Sequence, residues 1–598
     1  MRKTITWRDA LIIFFFALFA LAFQMQRWGG YNPAIFIGSD AANLTAFAAA
    51  RANPNLFIGD TLLEKIDNYK FYTTVHVFAI QALGWLTGDY GKGMVFLLGP
   101  LVLIHLLGYY ILGRVLYHNR FWALILSLTT SVYILTPIGD DIGLMPDPLP
   151  GFAFGALLPY LLSAIIRFQA DTNKWKIIIA CCAGLIYIHP VSGPAWVFGL
   201  WLFYALSNPD GLAVGQRIRR AFALGIVAFL VALPFATLYV GSHDIAPDDP
   251  VKVAAIRDAV QARVEPTFLN PIPTISAFSK WLLTDFYYTY IALLSLCLLL
   301  YGKTYRREAR TLITVVCGVV LFSMLIPCIE YLRTISSGVP FQIELVRPLK
   351  YIIPAIFVLS VWGLYALQER MSQSLKNAYI SSAISVLIGL MFVFYVHRKD
   401  SKIIGFVYPT MHAWRHGDLL PGKTTKNLAH VEAIRAVRHF TPERSKIFVA
   451  SDFVLQVRYA ALRPVVYAYK DGVIFAYSNY DALIKWYEIH KKLGRINRDG
   501  YSPADLEQTI LPIARELDAD YVFVYFGDYF EKIGTNADVR DNLAAKAKVI
   551  TPTVFSNSYG FSVALDGKMK IDSPHDINLN GLSNVWNNLY YGLYKLVK

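Results

Sequence analysis

Charge is scarce in this chain. Only 16% of its 598 residues are Asp, Glu, Lys or Arg, against about 25% in an ordinary soluble protein. Cysteine is scarcer still. Cys181, Cys182, Cys297, Cys317 and Cys328 all lie in or at the ends of apolar runs, and their spacing suits neither a disulfide framework nor a zinc site. Acidic residues fall short of basic ones, 42 against 56, leaving a formal charge of +14. That excess does not argue for nucleic acid, because much of it falls in short loops between apolar runs, where membrane topology accounts for it. What the chain does hold is apolar and aromatic: 55% hydrophobic residues with 37 Tyr, 38 Phe and 12 Trp, at a mean hydropathy of +0.42. It reads as a polytopic α-helical membrane protein.

A spanning helix needs about 20 mostly apolar residues. The sequence offers runs at 9–25, 94–116, 121–137, 150–167, 177–189, 194–207, 220–240, 284–301, 311–328, 351–367 and 378–396, or about 11 transmembrane helices, several short enough to be broken or tilted. The basic start MRKTITWR and the short apolar core after it resemble a signal peptide, but no small-x-small site follows directly, so the first run is expected to stay as an anchor.

Lys and Arg collect on the cytoplasmic side in short loops. With the N-terminus inside, each cytoplasmic piece is basic: Arg2, Lys3 and Arg8, Arg114 with Arg120, the stretch Arg167 to Lys176, Arg217 with Arg219 and Arg220, KTYRREAR, and Arg370 with Lys376. The outer loops are then 26–93, 138–149, the turn HPVSGP, 241–282 and 329–350. FYTTVHVFAIQALGWLTG, from Phe71, is apolar enough to span, but counting it would put the basic runs outside, so it is expected to be an amphipathic or re-entrant helix. The membrane part thus covers 1–396. Beyond 397, strand-length runs (KIFVA, RPVVYAY, DYVFVYF, GFSVAL) alternate with helical stretches such as AHVEAIRAVRHF, the pattern of a soluble α/β domain with a partly parallel sheet. It lies on the outer, periplasmic side.

Ionisable residues near membrane ends gather in these outer loops: Asp40 in GSD, Asp140, Asp141 and Asp147, His189, then His243, Asp244, Asp248, Asp249 and Glu265, and last Arg333, Glu344, Arg347 and Lys350. Carboxylates from two loops can make an oxygen site for Mg²⁺ or Mn²⁺, here through Asp40 and Asp140. Such an ion neutralises charge on a leaving phosphate, arginines grip phosphate in bidentate fashion, and a carboxylate off the metal acts as general base on a hydroxyl. Each residue also has an ordinary explanation. Asp40 would cap a helix, GDD and DDP would be turns, His189 before Pro190 would bond backbone, and Arg333, Arg347 and Lys350 would anchor at the interface. Asp60, closing the first loop, reads as a turn residue.

A first helix, an outer loop opening on an Asp, the basic turn LGRVLYHNR and an acidic second outer loop, with a soluble domain after the last helix, resemble the GT-C superfamily of integral-membrane glycosyltransferases. That resemblance implies an essential Asp at the position of Asp40, as metal ligand or catalytic base. It implies further ligands or acceptor contacts at Asp140 and Asp141, with Asp147 in reserve, and lipid-phosphate contacts for which Arg333 and Arg347 are the basic candidates. The chain departs from the pattern in having Ser39 and Ala41 beside Asp40, where a second acid often stands, and in lacking the WWDYG-like run of oligosaccharyltransferases. His189 in HP, RYAALRPVVYAYKDG and Trp486 in IKWYEIHKKL are similar to a group of bacterial membrane proteins with the same layout.

The function this implies is transfer of a sugar from a polyprenyl-phosphate-linked donor to a glycan, lipid or protein acceptor at the outer face of a bacterial inner membrane. His189 would help to bind substrate. Arg458, Arg463 and Lys470 are candidate acceptor contacts, or else solubility charges at strand ends. The rival is a non-catalytic relative, a lipid-linked glycan transporter or an envelope-assembly partner. Transporters place ionisable groups within the span, whereas these spans are nearly free of them.

Overall fold

A computed structural model describes the chain except for residues 1–5, 29–36, 38, 243, 245–246, 265–268, 302–304, 340–343, 376–377, 401–424, 452–453, 494–499, 527–581, 588–590 and 597–598. His243, Glu265 and the GFSVAL run therefore lie outside the described residues.

Helices dominate the first two thirds. They run α1 (Trp7–Trp28), α2 (Ser39–Ala52), α3 (Val75–Thr87), α4 (Tyr90–Phe96), α5 (Leu98–Tyr117), α6 (Arg120–Thr130), α7 (Pro150–Arg167) and α8 (Thr172–Gly184). Then follow α9 (Gly193–Leu206), α10 (Val214–Val240), α11 (Pro250–Arg263), α12 (Pro271–Thr284), α13 (Tyr288–Tyr301), α14 (Arg306–Ser337), α15 (Ile352–Leu375) and α16 (Ala378–Asp400).

Among the described residues six helical stretches are long and apolar enough to cross a membrane, or up to seven if α12 and α13, bent by 75°, are one span. The chain is thus a multi-pass helical membrane protein by length and composition. Eleven spans are not confirmed. The runs at 121–137, 177–189 and 194–207 give helices of only 11, 13 and 14 residues. Polar Thr129, Thr130 and Ser131 end α6 by bonding back to its own carbonyls, and the HP turn separates α8 from α9. The FYTT segment yields α3, 13 residues, about 20 Å long and too short to cross the roughly 30 Å hydrocarbon core alone. Trp85 and Leu86 stand exposed on it.

Two contacts fix the bundle. Asp9 on α1 pairs with Arg114 at 2.5 Å and Arg120 at 3.0 Å, so the basic turn between α5 and α6 is tied to the first helix. Helices α9 and α14 meet backbone to backbone. A Cβ on Gly318 would lie 2.6 Å from the Gly199 Cα, and one on Gly199 would lie 2.5 Å from the Val315 carbonyl oxygen. Small residues at such crossings let helices associate in lipid. Gly318→Leu is expected to force them apart at about 1–3 kcal/mol or more, seen as a lower thermal midpoint in detergent. An unchanged midpoint would show that the close approach contributes nothing.

The C-terminal part holds α17 (Thr425–Phe440), β3 (Ile447–Ala450), α18 (Val454–Tyr459), α19 (Asp471–Ser478), α20 (Tyr480–Leu493), β4 (Tyr521–Tyr525), β5 (Leu582–Asn587) and β6 (Tyr591–Leu596), after the small hairpin β1 (Ile134–Leu135) and β2 (Asp141–Ile142) in the membrane part. Its sheet has the order β3-β4-β6-β5, with β3 and β4 parallel and the other pairs antiparallel. The partly parallel sheet matches expectation, whereas RPVVYAY makes only a single bridge, Val465 to Ile447. Every residue of β3 and β4 is buried, because both faces are covered. Ile447, Val449, Tyr521 and Phe523 pack with Val431, Ile434 and Val437 of α17. Phe448, Ala450, Val522 and Val524 face the other way, into a core shared with Ala42, Phe47 and Ala49 of α2, Leu62, Ile80 of α3, and Ile256 and Val260 of α11. The first long connection and the C-terminal sheet therefore form one hydrophobic unit across the 396/397 boundary.

Candidate functional site

Asp40 stands in the first turn of α2, where unpaired backbone N–H groups favour a carboxylate. The Ala-rich sequence that follows forms the helix because its small side chains, Ala41, Ala42, Ala46 and Ala48 among them, pack against the shared core. Lys470 from the C-terminal unit donates to the Asp40 carboxylate. The Asp40 side chain is 69% exposed, yet burial is the largest influence on its acidity, so the group sits in an open recess with protein on most sides. That burial raises its pKa, but Lys470, Arg347 and Arg263 outweigh it and hold the carboxyl below the usual carboxylate range. The ionised form is favoured in the fold, so its stabilisation is present above the ordinary carboxylate range and is lost as pH falls through the lowered value.

Lys470 is placed by a buried ion cluster. Arg458, with no exposed surface, donates to both oxygens of Asp60 at 2.9 Å and to both of Asp471 at 2.6 and 2.7 Å. Asp60 also accepts from the backbone N–H groups of Leu62, Leu63 and Val465, and Thr61 donates to Asp471. Every carboxylate oxygen of the pair accepts at least one hydrogen bond, the condition under which buried charges are tolerated. Asp60 is thus no simple turn residue, and Arg458 is neither an acceptor contact nor a solubility charge. Arg463 is buried as well, donating to the Arg438 and Thr441 carbonyls that end α17. Of those three cations only Lys470 reaches the site.

Asp140 and Asp141 sit side by side on the β1–β2 hairpin but serve different neighbours. Asp140 pairs with the buried Lys350 at 2.8 Å. Burial raises its pKa, while Lys350 and Arg347 more than offset that and keep it low. Asp141 bonds the Tyr133 hydroxyl, which also feels Asp147. These two acids therefore gather around Tyr133. The hairpin requires Gly143, at φ +90°, because a Cβ there would lie 1.8 Å from the Val132 carbonyl oxygen.

His189 accepts at Nδ1 from the Ser192 backbone N–H at 3.2 Å, which leaves Nε2 to carry the proton of the neutral ring. The ring shares the Gly151 surface with the Lys350 ammonium. Burial, then Lys350, pushes its pKa down to about 3, so it is neutral across the physiological range. Lys350→Met is expected to cost about 3–5 kcal/mol, the penalty for leaving a buried carboxylate unpaired, read as a lower thermal midpoint in detergent. Retention of the wild-type midpoint would show that Arg347 alone suffices for Asp140.

Arg347 joins these groups. It lies 3.7 Å from Glu344 and acts electrostatically on Asp40, Asp140 and His189 alike. Next to it opens a cavity of about 670 Å³. Phe71, Tyr72, Phe235, Tyr239 and Tyr477 form much of its wall, with Asp244, Glu330, Arg333 and Glu344 as its charged members. Asp40 bears on Tyr72, so the recess and the cavity are neighbours. The structure thus brings Asp40, Asp140, His189 and Arg347 into one field and puts Arg333 in the adjoining cavity. Asp141, with Asp147, acts on Tyr133 instead, though Asp141 shares a small cavity with Lys350.

Several residues here escaped sequence reasoning. Arg263 acts on Asp40, and Asp40 on Tyr72, because segments far apart in the chain pack into one core with α2, and no local pattern announces that packing. Asp249, read as a turn residue, caps α11 through the Val251 N–H, and Asp244 accepts from the Tyr480 N–H at 2.8 Å. Among the described residues no three His, Cys, Asp or Glu side chains form a group that would hold a metal ion. Asp40 and Asp140 each already face a lysine, so the donors present do not fit a Mg²⁺ or Mn²⁺ centre.

Compared with known proteins, the sequence matches no family model and no curated protein.

Proposed function

We propose that this chain is a GT-C-like membrane glycosyltransferase that moves a sugar from a polyprenyl-phosphate donor to an acceptor hydroxyl at the outer face of a bacterial inner membrane. In this reading the N-terminus is cytoplasmic and the sheet-containing unit periplasmic. The observation that carries it is Asp40: an ionised, solvent-open carboxylate beside an aromatic-walled cavity of about 670 Å³ that holds Arg333. Asp40 takes the proton of the acceptor hydroxyl as that oxygen bonds to the anomeric carbon. The bond from that carbon to the phosphate oxygen breaks, and polyprenyl phosphate leaves with the electron pair. Arg333 and Arg347 stabilise the charge on the departing phosphate, the largest kind of term in such catalysis. Asp140 holds Lys350 by direct pairing and acts electrostatically on Arg347, and the aromatic walls suit isoprene units.

The rival, a non-catalytic transporter or assembly partner of the same architecture, is favoured by one observation: the lysines paired to Asp40 and Asp140. Mass spectrometry of lipid extracts from a deletion strain separates the two. A transferase predicts that a polyprenyl-linked sugar accumulates and is modified when intact spheroplasts are treated with membrane-impermeant periodate before extraction, whereas accumulation that escapes the reagent, or none, overturns transfer.

Lys470→Met supplies a pH test. Without that cation, burial acts with less opposition on Asp40 and its pKa rises. The acid limb of the transfer rate is then expected to move to higher pH. An unmoved limb would show that Asp40 is not the base.

A further inference from the structure

At the end of α14 remote from Arg333, a second cavity of about 520 Å³ opens between the C-terminal end of α9, the turn Ser207–Pro209 and the first turns of α14. At 1.5 Å rise per residue the two cavities are roughly 40 Å apart along the helix, so this one is no part of the site above. Arg306, Arg307 and Arg310 line it, with Asn208, Gln169 and Thr314 as polar neighbours. All three arginines are exposed, and none is in an ion pair among the described residues. The arginines nearby are otherwise engaged: Arg220 pairs with Asp210 at 3.1 Å and lies over the Trp175 ring, and Arg217 donates to the carbonyls of Ala205 and Leu206. The cavity is also amphipathic. Phe203 and Leu206 complete its wall; Leu206 is exposed, as are Val214, Ile218 and Phe222 on α10, the helix whose Arg217 bonds the carbonyls of Ala205 and Leu206.

We propose that this cavity binds a phosphate oxyanion, with the three guanidiniums as its ligands and an anionic phospholipid headgroup as its source. Guanidiniums match phosphate oxygens in bidentate geometry. Basic pockets between membrane helices on the cytoplasmic side take anionic headgroups, and the apolar side chains beyond the rim give acyl chains a path. The plain alternative is that these arginines only set topology, which needs their charge and no cavity.

The full-length protein in dodecyl maltoside is titrated with dioctanoyl phosphatidylglycerol, dioctanoyl phosphatidylcholine or inorganic phosphate. Binding is followed by native mass spectrometry and by thermal midpoint. The expected result is a preference for phosphatidylglycerol over phosphatidylcholine that R306Q/R307Q/R310Q weakens by at least about tenfold. R8Q/R219Q/R370Q, which removes the same charge from the same end outside the cavity, keeps the preference. Binding of inorganic phosphate as tight as that of the lipid assigns the site to a soluble phosphate and overturns the lipid source. No preference in the wild type, an unchanged triple variant, or equal loss in the control overturns the site itself. Should the triple variant fail to insert, R307Q and R310Q singly must each weaken the lipid by a few fold.

Discussion

Arg458→Met is expected to break the unit that joins α2 to the sheet. It leaves Asp60 and Asp471 facing one another with no exposed surface on either, and removing one partner from a buried charge cluster costs roughly 3–5 kcal/mol. Burial and the neighbouring Asp60 carboxylate already push the pKa of Asp471 up against Arg458, and without Arg458 that rise grows. The folded variant binds a proton that the unfolded chain has released, so its deficit grows as pH rises above the ordinary carboxylate range and shrinks as pH falls. Thermal midpoints in detergent from pH 5 to 8, alongside limited proteolysis of the connection between α2 and α3, read both effects. Cleavage there should appear in the variant first. A midpoint equal to wild type, or a deficit independent of pH, would show that the cluster contributes little. Arg458→Lys should recover only part of the loss, since one ammonium cannot serve two carboxylates in forked geometry.

Asp40→Asn is expected to lower sugar transfer by about 10² to 10⁴, the usual range for a lost general base. Asparagine keeps the shape and still serves the first turn of α2, and the side chain is largely open to solvent, so the thermal midpoint should stay near that of wild type. The assay uses purified protein with a polyprenyl-phosphate sugar and measures kcat and KM separately. A loss confined to kcat fits a base acting in the transition state. Undiminished turnover would sink the role given to Asp40, and a loss in KM alone would make it a binding group.

Much of this architecture is written locally. Apolar runs longer than 20 residues announce α5 and α10, since a membrane allows few alternatives. Alternation of helix and strand patterns announces α17, β3 and β4. Asp40 could be singled out because it opens a polar stretch straight after an apolar one. The short helices α6, α8 and α9 were not separable from spans, because composition alone does not show where Thr and Ser side chains turn back to end a helix. β5 and β6, in NGLSNVWNNLYYGLYKL, lack the strict alternation that would mark them. The Asp60–Arg458–Asp471 cluster was least legible of all. Asp60 lies about 400 residues from Arg458 and Asp471, and a buried charge reads in sequence like an exposed one until its partner is known.

The core shared by α2, α3 and the sheet also sets an order of manufacture. Phe47, Leu62 and Ile80 leave the ribosome roughly 370–400 residues before β3, and at 5–20 residues per second they wait about 20–80 s for the strands that cover them. During that interval the early segment is an orphan with an apolar face. A chain truncated between the end of α16 and β3 would keep every spanning helix and still present that face to chaperones and proteases, so translation of the last third acts as the checkpoint for the first.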